Sequence, residues 1–110
     1  MDGYATKNVK FLRSLHRNPQ AVRIPIIKSC TQDQTLALCE CADNILRGNV
    51  ILSEREKKSI GKHKDTLRRI AGKGTWRQKK KIIQTGEGLP AIAAILSVVI
   101  PAIIELIKKK

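Results

Sequence analysis

The segment Leu89 to Ile107 carries six Ile, three Leu and two Val in 19 residues, with Glu105 as its one charge. No other stretch of the 110-residue chain is comparably apolar, and this asymmetry limits what the chain can fold into. As a helix rising about 1.5 Å per residue the segment would reach about 28 Å, close to the thickness of a hydrocarbon layer. Each Ile, Leu or Val near the centre of a span favours insertion by roughly 0.3–0.6 kcal/mol. Glu105 and two prolines, Pro90 and Pro101, oppose it. Three readings stay open: a buried core helix, a tail-anchored span, and a segment that enters or disturbs membranes once released. The first eighty residues hold little surplus apolar surface to cover a core helix. The expected arrangement is therefore a separate C-terminal helix, with Leu89, Ile92, Ile95, Leu96, Val99, Ile100, Ile103 and Ile107 as its membrane segment.

The rest of the chain is strongly basic. The net charge is +13, from 22 Lys and Arg against 9 Asp and Glu, which opposes compaction by self-repulsion and favours polyanionic partners, nucleic acid or an anionic bilayer. Between Ser53 and Lys81 twelve cations stand against three acids, Glu54, Glu56 and Asp65. A face kept only for solubility mixes both signs in i, i+4 pairs, and these cations have few such partners. A phosphate backbone could neutralise them, driven by release of its condensed counterions. The candidate phosphate contacts are Lys57, Lys58, Lys62, Lys64, Arg68, Arg69, Lys73, Arg77, Lys79, Lys80 and Lys81. Tyr4, Phe11 and Trp76 are the only aromatics, too few for recognition dominated by base stacking.

Helix signals are frequent and strand signals nearly absent. Val9, Leu12, Leu15 and His16 share one face of a helix from about Thr6 to Arg17, stopped by Asn18-Pro19. A second apolar-rich segment, bent or delayed by Pro25, would turn Val22, Ile26 and Ile27 inward. Thr31 with Gln34 makes a capping box for a third helix, which stops at Gly48-Asn49 and buries Leu38, Cys41, Ala42 and Ile45. Ser53 with Glu56 opens a fourth, with Ile60, Leu67 and Ile70 inward and Gly72 and Gly74 at its end. Its early acids and late cations suit the helix dipole. Thr75 begins another short helix, anchored by Trp76. The expected fold is all-α: a small basic bundle of four or five helices over residues 1–83, a glycine joint at 84–88, and the hydrophobic helix with its lysine end over 89–110.

Cys30, Cys39 and Cys41 are odd in number and match neither a zinc knuckle nor a disulfide framework. Small buried apolar residues are the expected role, with no metal. The residues Met1 to Thr6 carry no apolar run, so synthesis without a secretory signal, in a reducing compartment, is expected. His16 and His63 lie in separate helices without a patterned Cys, Ser or carboxylate partner, and no glycine-rich phosphate loop follows a strand. The reading is a non-enzyme with no cofactor. One sharper alternative is a helix-turn-helix regulator, since a helix ending at Gly48 is followed by a short link and a basic helix. The start of that helix, SEREKKS, offers few side chains for reading base edges.

The joint "QTGEG" resembles the recognition pattern of the adenovirus-type cysteine protease, in which Gln, Ile, Leu, Met or Asn is followed by any residue, Gly, any residue and Gly, with the cut before the last Gly. The matching residues are Gln84, Gly86, Glu87 and Gly88, and the cut would fall between Glu87 and Gly88. The order of a basic block, a glycine joint and "GLPAIAAILSVVIPAI" resembles the C-terminal half of the precursor of adenovirus core protein X. The longer run "CADNILRGNVILSEREKKSIGKHKDTLRRIAGKGTWRQKKKIIQ" is closer to the core-protein-X-like products of Polinton or Maverick elements and adintoviruses, over roughly Thr31 to Ile104. In two respects the chain departs from the pattern. Glu87 stands where a second adjacent glycine is common, and the cationic segment is lysine-rich instead of arginine-rich. The resemblance implies a virion core protein that binds and condenses double-stranded DNA without sequence preference, present in the virion and in the host nucleus during assembly. It also implies proteolytic processing that frees a membrane-active or capsid-contacting tail. The competing class is a tail-anchored or membrane-lytic protein with no nucleic-acid function.

Overall fold

The computed structural model describes residues 3–108, and every regular element among them is a helix. In chain order these are α1 (Tyr4–Lys7), α2 (Val9–Arg17), α3 (Gln20–Lys28), α4 (Gln32–Leu46), α5 (Glu54–Gly61), α6 (Lys64–Ala71), α7 (Trp76–Ile83) and α8 (Gly88–Lys108). The all-α expectation holds. The finer division differs, because two expected helices are broken.

The first break is at Asn8, whose backbone leaves helical geometry at φ −112°, ψ 28°. Its side-chain Nδ2 donates to the Tyr4 carbonyl at 2.8 Å, a local bond of the kind that competes with a continuous helix. The short α1 is held instead by Glu40 of α4, whose carboxylate accepts from the Tyr4 N–H at 3.1 Å and the Ala5 N–H at 3.3 Å. The second break falls at Lys62 and His63, just after Gly61, a poor helix former. The His63 N–H donates back to the Ile60 carbonyl at 3.0 Å, tightening the last turn of α5. The change of direction lets α5 lie on α8 while α6 packs mainly on α4 and α7.

Three helices start as their sequences require. Thr31 with Gln34, Ser53 with Glu56 and Thr75 with Gln78 each form a complete, reciprocal capping box, and together these fix where α4, α5 and α7 begin. Gly48 takes φ 78° where the chain leaves α4, a left-handed turn that favours glycine.

The largest departure concerns α8. It is not set apart from the bundle: it packs against α2, α4, α5, α6 and α7. Ile92, Ile95, Leu96, Val99, Ile100 and Ile103, expected to face lipid, are buried in one cluster with Leu12, Leu15, Ile27, Leu38, Leu67, Ile70 and Ile83. Leu89 is partly buried against that cluster, and the Ile107 side chain lies outside the described residues, as do Lys109 and Lys110. The surface that covers α8 comes from the inward stripe of α4 and from one to three inward residues on each of several shorter helices. Pro101 and Glu105 fall on its exposed side. No single helix among the described residues is long and apolar enough to cross a membrane. Val22 also departs from expectation, being 43% exposed while Ile27 of the same helix is buried.

Burying α8 is thus the main source of apolar stabilisation, each fully buried Ile or Leu contributing about 1.5–3 kcal/mol. Ile95→Ala should lower unfolding stability in urea by about 2–5 kcal/mol through lost burial and the cavity left behind. Ile51→Ala, at a side chain 97% exposed, should change it by less than about 0.5 kcal/mol. An Ile95→Ala chain as stable as the parent would mean that α8 lies outside the cooperative core.

Candidate nucleic-acid interface

The cations of α5, α6 and α7 point outward because each helix commits its apolar positions to the core. In α5, Ile60 is buried, leaving Arg55, Lys58 and Lys62 on the exposed side. In α6, Leu67 and Ile70 face inward and Lys64, Arg68 and Arg69 outward. In α7, Ile83 is buried, Arg77 and Lys81 are exposed, and Lys79 and Lys80 are half-buried.

Local acids neutralise only part of this charge. Lys57 pairs with Glu54 at 3.3 Å, Arg68 with Asp65 at 3.4 Å, and Arg69 with Glu87 at 2.7 Å. These pairs are solvent-exposed and contribute at most about 1 kcal/mol each, so a phosphate can replace the carboxylate at little cost. Glu56 is occupied as a cap, accepting from the Ser53 N–H at 2.8 Å. Among the described residues Lys58, Lys62, Lys64, Lys73, Lys79 and Lys81 have no acid partner.

Two expected contacts have other work. The Lys80 Nζ donates to the Cys30 carbonyl at 2.9 Å, tying α7 to the turn between α3 and α4. The Arg77 guanidinium lies 5.3 Å from the centre of the Trp76 ring, a cation–π distance that still leaves its edge open to a phosphate. Trp76 itself is only half-buried, and Ile83 is the residue that fixes α7 to the core.

Four of the expected residues line two shallow grooves, and none of the α7 cations does. Lys62 and Arg69 line a shallow groove of about 330 Å³ with His63, Glu87 and Pro90. Lys57 and Lys64 border a second of about 310 Å³ over Leu52 and Ile60. Each groove thus joins cations of the α5–α6 region, while Arg77, Lys79 and Lys81 stand on α7 outside both.

The glycine joint is a folded corner and not the flexible connector its composition suggests. The axes of α7 and α8 meet there at 95°. Gln84 ends α7, Thr85 Oγ1 donates to the Ile82 carbonyl at 2.7 Å, and the Gly88 N–H donates to Thr85 Oγ1 at 3.0 Å. Gly86 is exposed with open space around it, but Gly88 is buried. A Cβ at Gly88 would collide with the backbone carbonyls of Ile82 and Ile83. The glycine is there for close approach of two helices.

Sequence reasoning passed over one group of cations. Lys10, Arg13 and Arg17 on α2 are all exposed. Their i, i+3, i+7 spacing, with no acid anywhere in the helix, was the available signal.

Cys30, Cys39 and Cys41 are free and buried. Burial pushes the Cys30 thiol up to about 11, an effect eased by Lys80, and Cys39 up to about 11, eased by Lys79. Burial, with the nearby Glu40 and Cys39, pushes Cys41 up to about 12. Such thiols behave as small apolar residues.

No protein-family model, no curated protein and no solved structure matches this chain.

Because all three thiols hold their protons more tightly when folded, their contribution to stability is whole below the ordinary value of 9.0 and is lost as pH rises toward about 11 to 12. Thiolate absorbance should therefore stay absent from the folded chain at pH 9, where the urea-unfolded chain is half titrated. A folded-state thiol titrating near 9 would contradict the burial described.

Proposed function

We propose that the chain binds duplex DNA without sequence preference, through the shoulder formed by α5, α6 and α7, in the manner of a packaging protein. The observation that carries this reading is the run of outward Lys and Arg on three separate helices whose few local acids leave most of them unneutralised. Phosphates spaced along a duplex are the complementary surface, and released counterions supply the driving force. The resemblance to core-protein-X-like products of virus-like DNA transposons supports the biological setting, a virion core assembled in the host nucleus.

A base-reading helix pair gains little from the geometry. The principal neighbours of α4 are α1, α6, α7 and α8, so α4 and α5 do not dock on each other as the two helices of such a motif would. Processing between Glu87 and Gly88 also gains little, since cleavage favours extended loops, and here Gln84 to Glu87 are exposed but lie in a turn closed by the Thr85 bonds, with Gly88 buried. A membrane role would require α8 to leave the core. Together α7 and the first part of α8 have the length and composition of a span, but they are bent by 95°.

If about six phosphates are engaged, log K against log salt should fall with a slope near −5 for any duplex sequence. Replacing Lys58, Lys62 and Lys81 with Gln should weaken all sequences alike and make the slope shallower by about 2–3. Binding that ignores salt, or a strong preference for one sequence over competitor DNA, would refute the proposal. So would leakage of anionic vesicles by a chain that binds no DNA.

A further inference from the structure

Although α8 is the interior of the fold, one narrow edge of it reaches the surface. Pro90 and Ala93 are half-buried, Ser97 and Pro101 are exposed, and the residues between them are buried. At about 3.6 residues per turn these four positions fall on one line along the helix. The edge holds no charge from Pro90 to Pro101, and its side chains are small or are proline rings. The Ser97 hydroxyl is turned back to donate to the Ala94 carbonyl at 2.8 Å. Glu105, one turn beyond Pro101, is the first acid on the line.

Cations stand at both ends of this edge. At Pro101 the neighbours are Arg13, His16 and Arg17 of α2, and the two arginines continue with Lys10 as an exposed ridge along that helix. The ridge has no acid partner among the described residues. Its last turn is held in place by Arg23 of α3, which donates from Nε to the Leu15 carbonyl at 2.7 Å and from Nη2 to the His16 carbonyl at 2.9 Å. At Pro90 the neighbours include Lys62, His63 and Arg69, with Asp65 and Glu87 beside them. Lys62 has no acid partner among the described residues. Asp65 is taken by Arg68 and Glu87 by Arg69, in exposed pairs whose carboxylate a phosphate can replace.

The spacing of the two groups matches a duplex. Pro90 and Pro101 lie on the same side of α8, eleven residues apart, which is about 16 Å at about 1.5 Å per residue. Two backbones cross any one side of a duplex in each turn of about 34–36 Å, so they lie on average about half a turn apart. A straight duplex with its axis along the edge of α8 therefore sets one backbone against the α2 ridge and the other against Lys62 and Arg69. The uncharged edge lies beneath the groove between them, and no bend in the DNA is required.

We infer that the outward edge of α8 is the floor of the DNA site, and that Lys10, Arg13 and Arg17 contact the same duplex as the α5–α6 cations. This rests on the DNA-binding reading above and extends its surface to a helix which that reading leaves out.

The test is anisotropy of a fluorescent, mixed-sequence duplex of about 20 base pairs with the full chain in 0.15 M salt, where the field of a single charge is screened beyond about 8 Å. Arg13→Gln with Arg17→Gln should weaken binding about tenfold or more and make the slope of log K against log salt shallower by about 2. Arg13→Lys with Arg17→Lys should stay within about twofold of the parent, which separates loss of charge from loss of fold. Ser97→Glu should bind about fivefold or more weakly than Ser97→Gln, which has the same size without the charge. A parent chain that binds the duplex while Arg13→Gln with Arg17→Gln leaves affinity and slope unchanged overturns the inference and leaves the DNA-binding reading standing. Binding by Ser97→Glu as tight as that of Ser97→Gln does the same. A parent chain with no duplex binding overturns both.

Discussion

Burial of α8 is the interaction on which the rest of the structure depends. A chain with a net charge of +13 repels itself when compact, and apart from α4 its first seven helices are short and bury one to three residues each. α4 packs with α1, α6 and α7 as well as with α8, and α8 supplies the largest set of buried apolar side chains. Packed around α8 and the seven-residue inward stripe of α4, each shorter helix needs only one to three inward side chains, as α5 does with Ile60 and α6 with Leu67 and Ile70. The remaining positions are then free to carry charge. The apolar segment and the basic segment are in this sense two parts of one design: the first is the interior, and the second is the shell mounted on it.

That division of labour accounts for the site. Cations on a disordered peptide would lose conformational entropy on meeting any polyanion, whereas here capping boxes at Ser53 and Thr75, and the Lys80 bond to the Cys30 carbonyl, fix the starts of α5 and α7 and the seat of α7. The corner at Gly88 plays the same part. It turns the chain by 95° from α7 into the core, and Arg69 with Glu87 closes its outer edge.

Local signals were legible in the sequence where the physics is local. The capping pairs at Thr31 and Ser53, the left-handed stop at Gly48, the inward stripe of α4 and the apolar role of the cysteines all follow from neighbouring residues. What could not be read depends on distant partners. Nineteen apolar residues look alike whether lipid or other helices cover them, and the cover here is scattered over Leu12, Leu38, Leu67 and Ile83. The seat of α1 depends on Glu40, more than thirty residues away, whose carboxylate accepts from its first N–H groups. Gly86 and Gly88 suggest a hinge by composition, and only the approach of α8 to the end of α7 shows that Gly88 is needed for contact. The α2 ridge was missed for a different reason: its three cations are spaced along a helix and do not form a run.

The most direct measurement of this account is amide hydrogen exchange of the intact chain across α8. If α8 is the interior, amides from Ala91 to Ile103 should exchange only through global unfolding, with protection equal to the full stability and falling in step with it as urea is added. Exchange at the rate of an unprotected peptide, or protection that ignores urea while the basic helices unfold, would show that the bundle stands without α8 and would contradict the account.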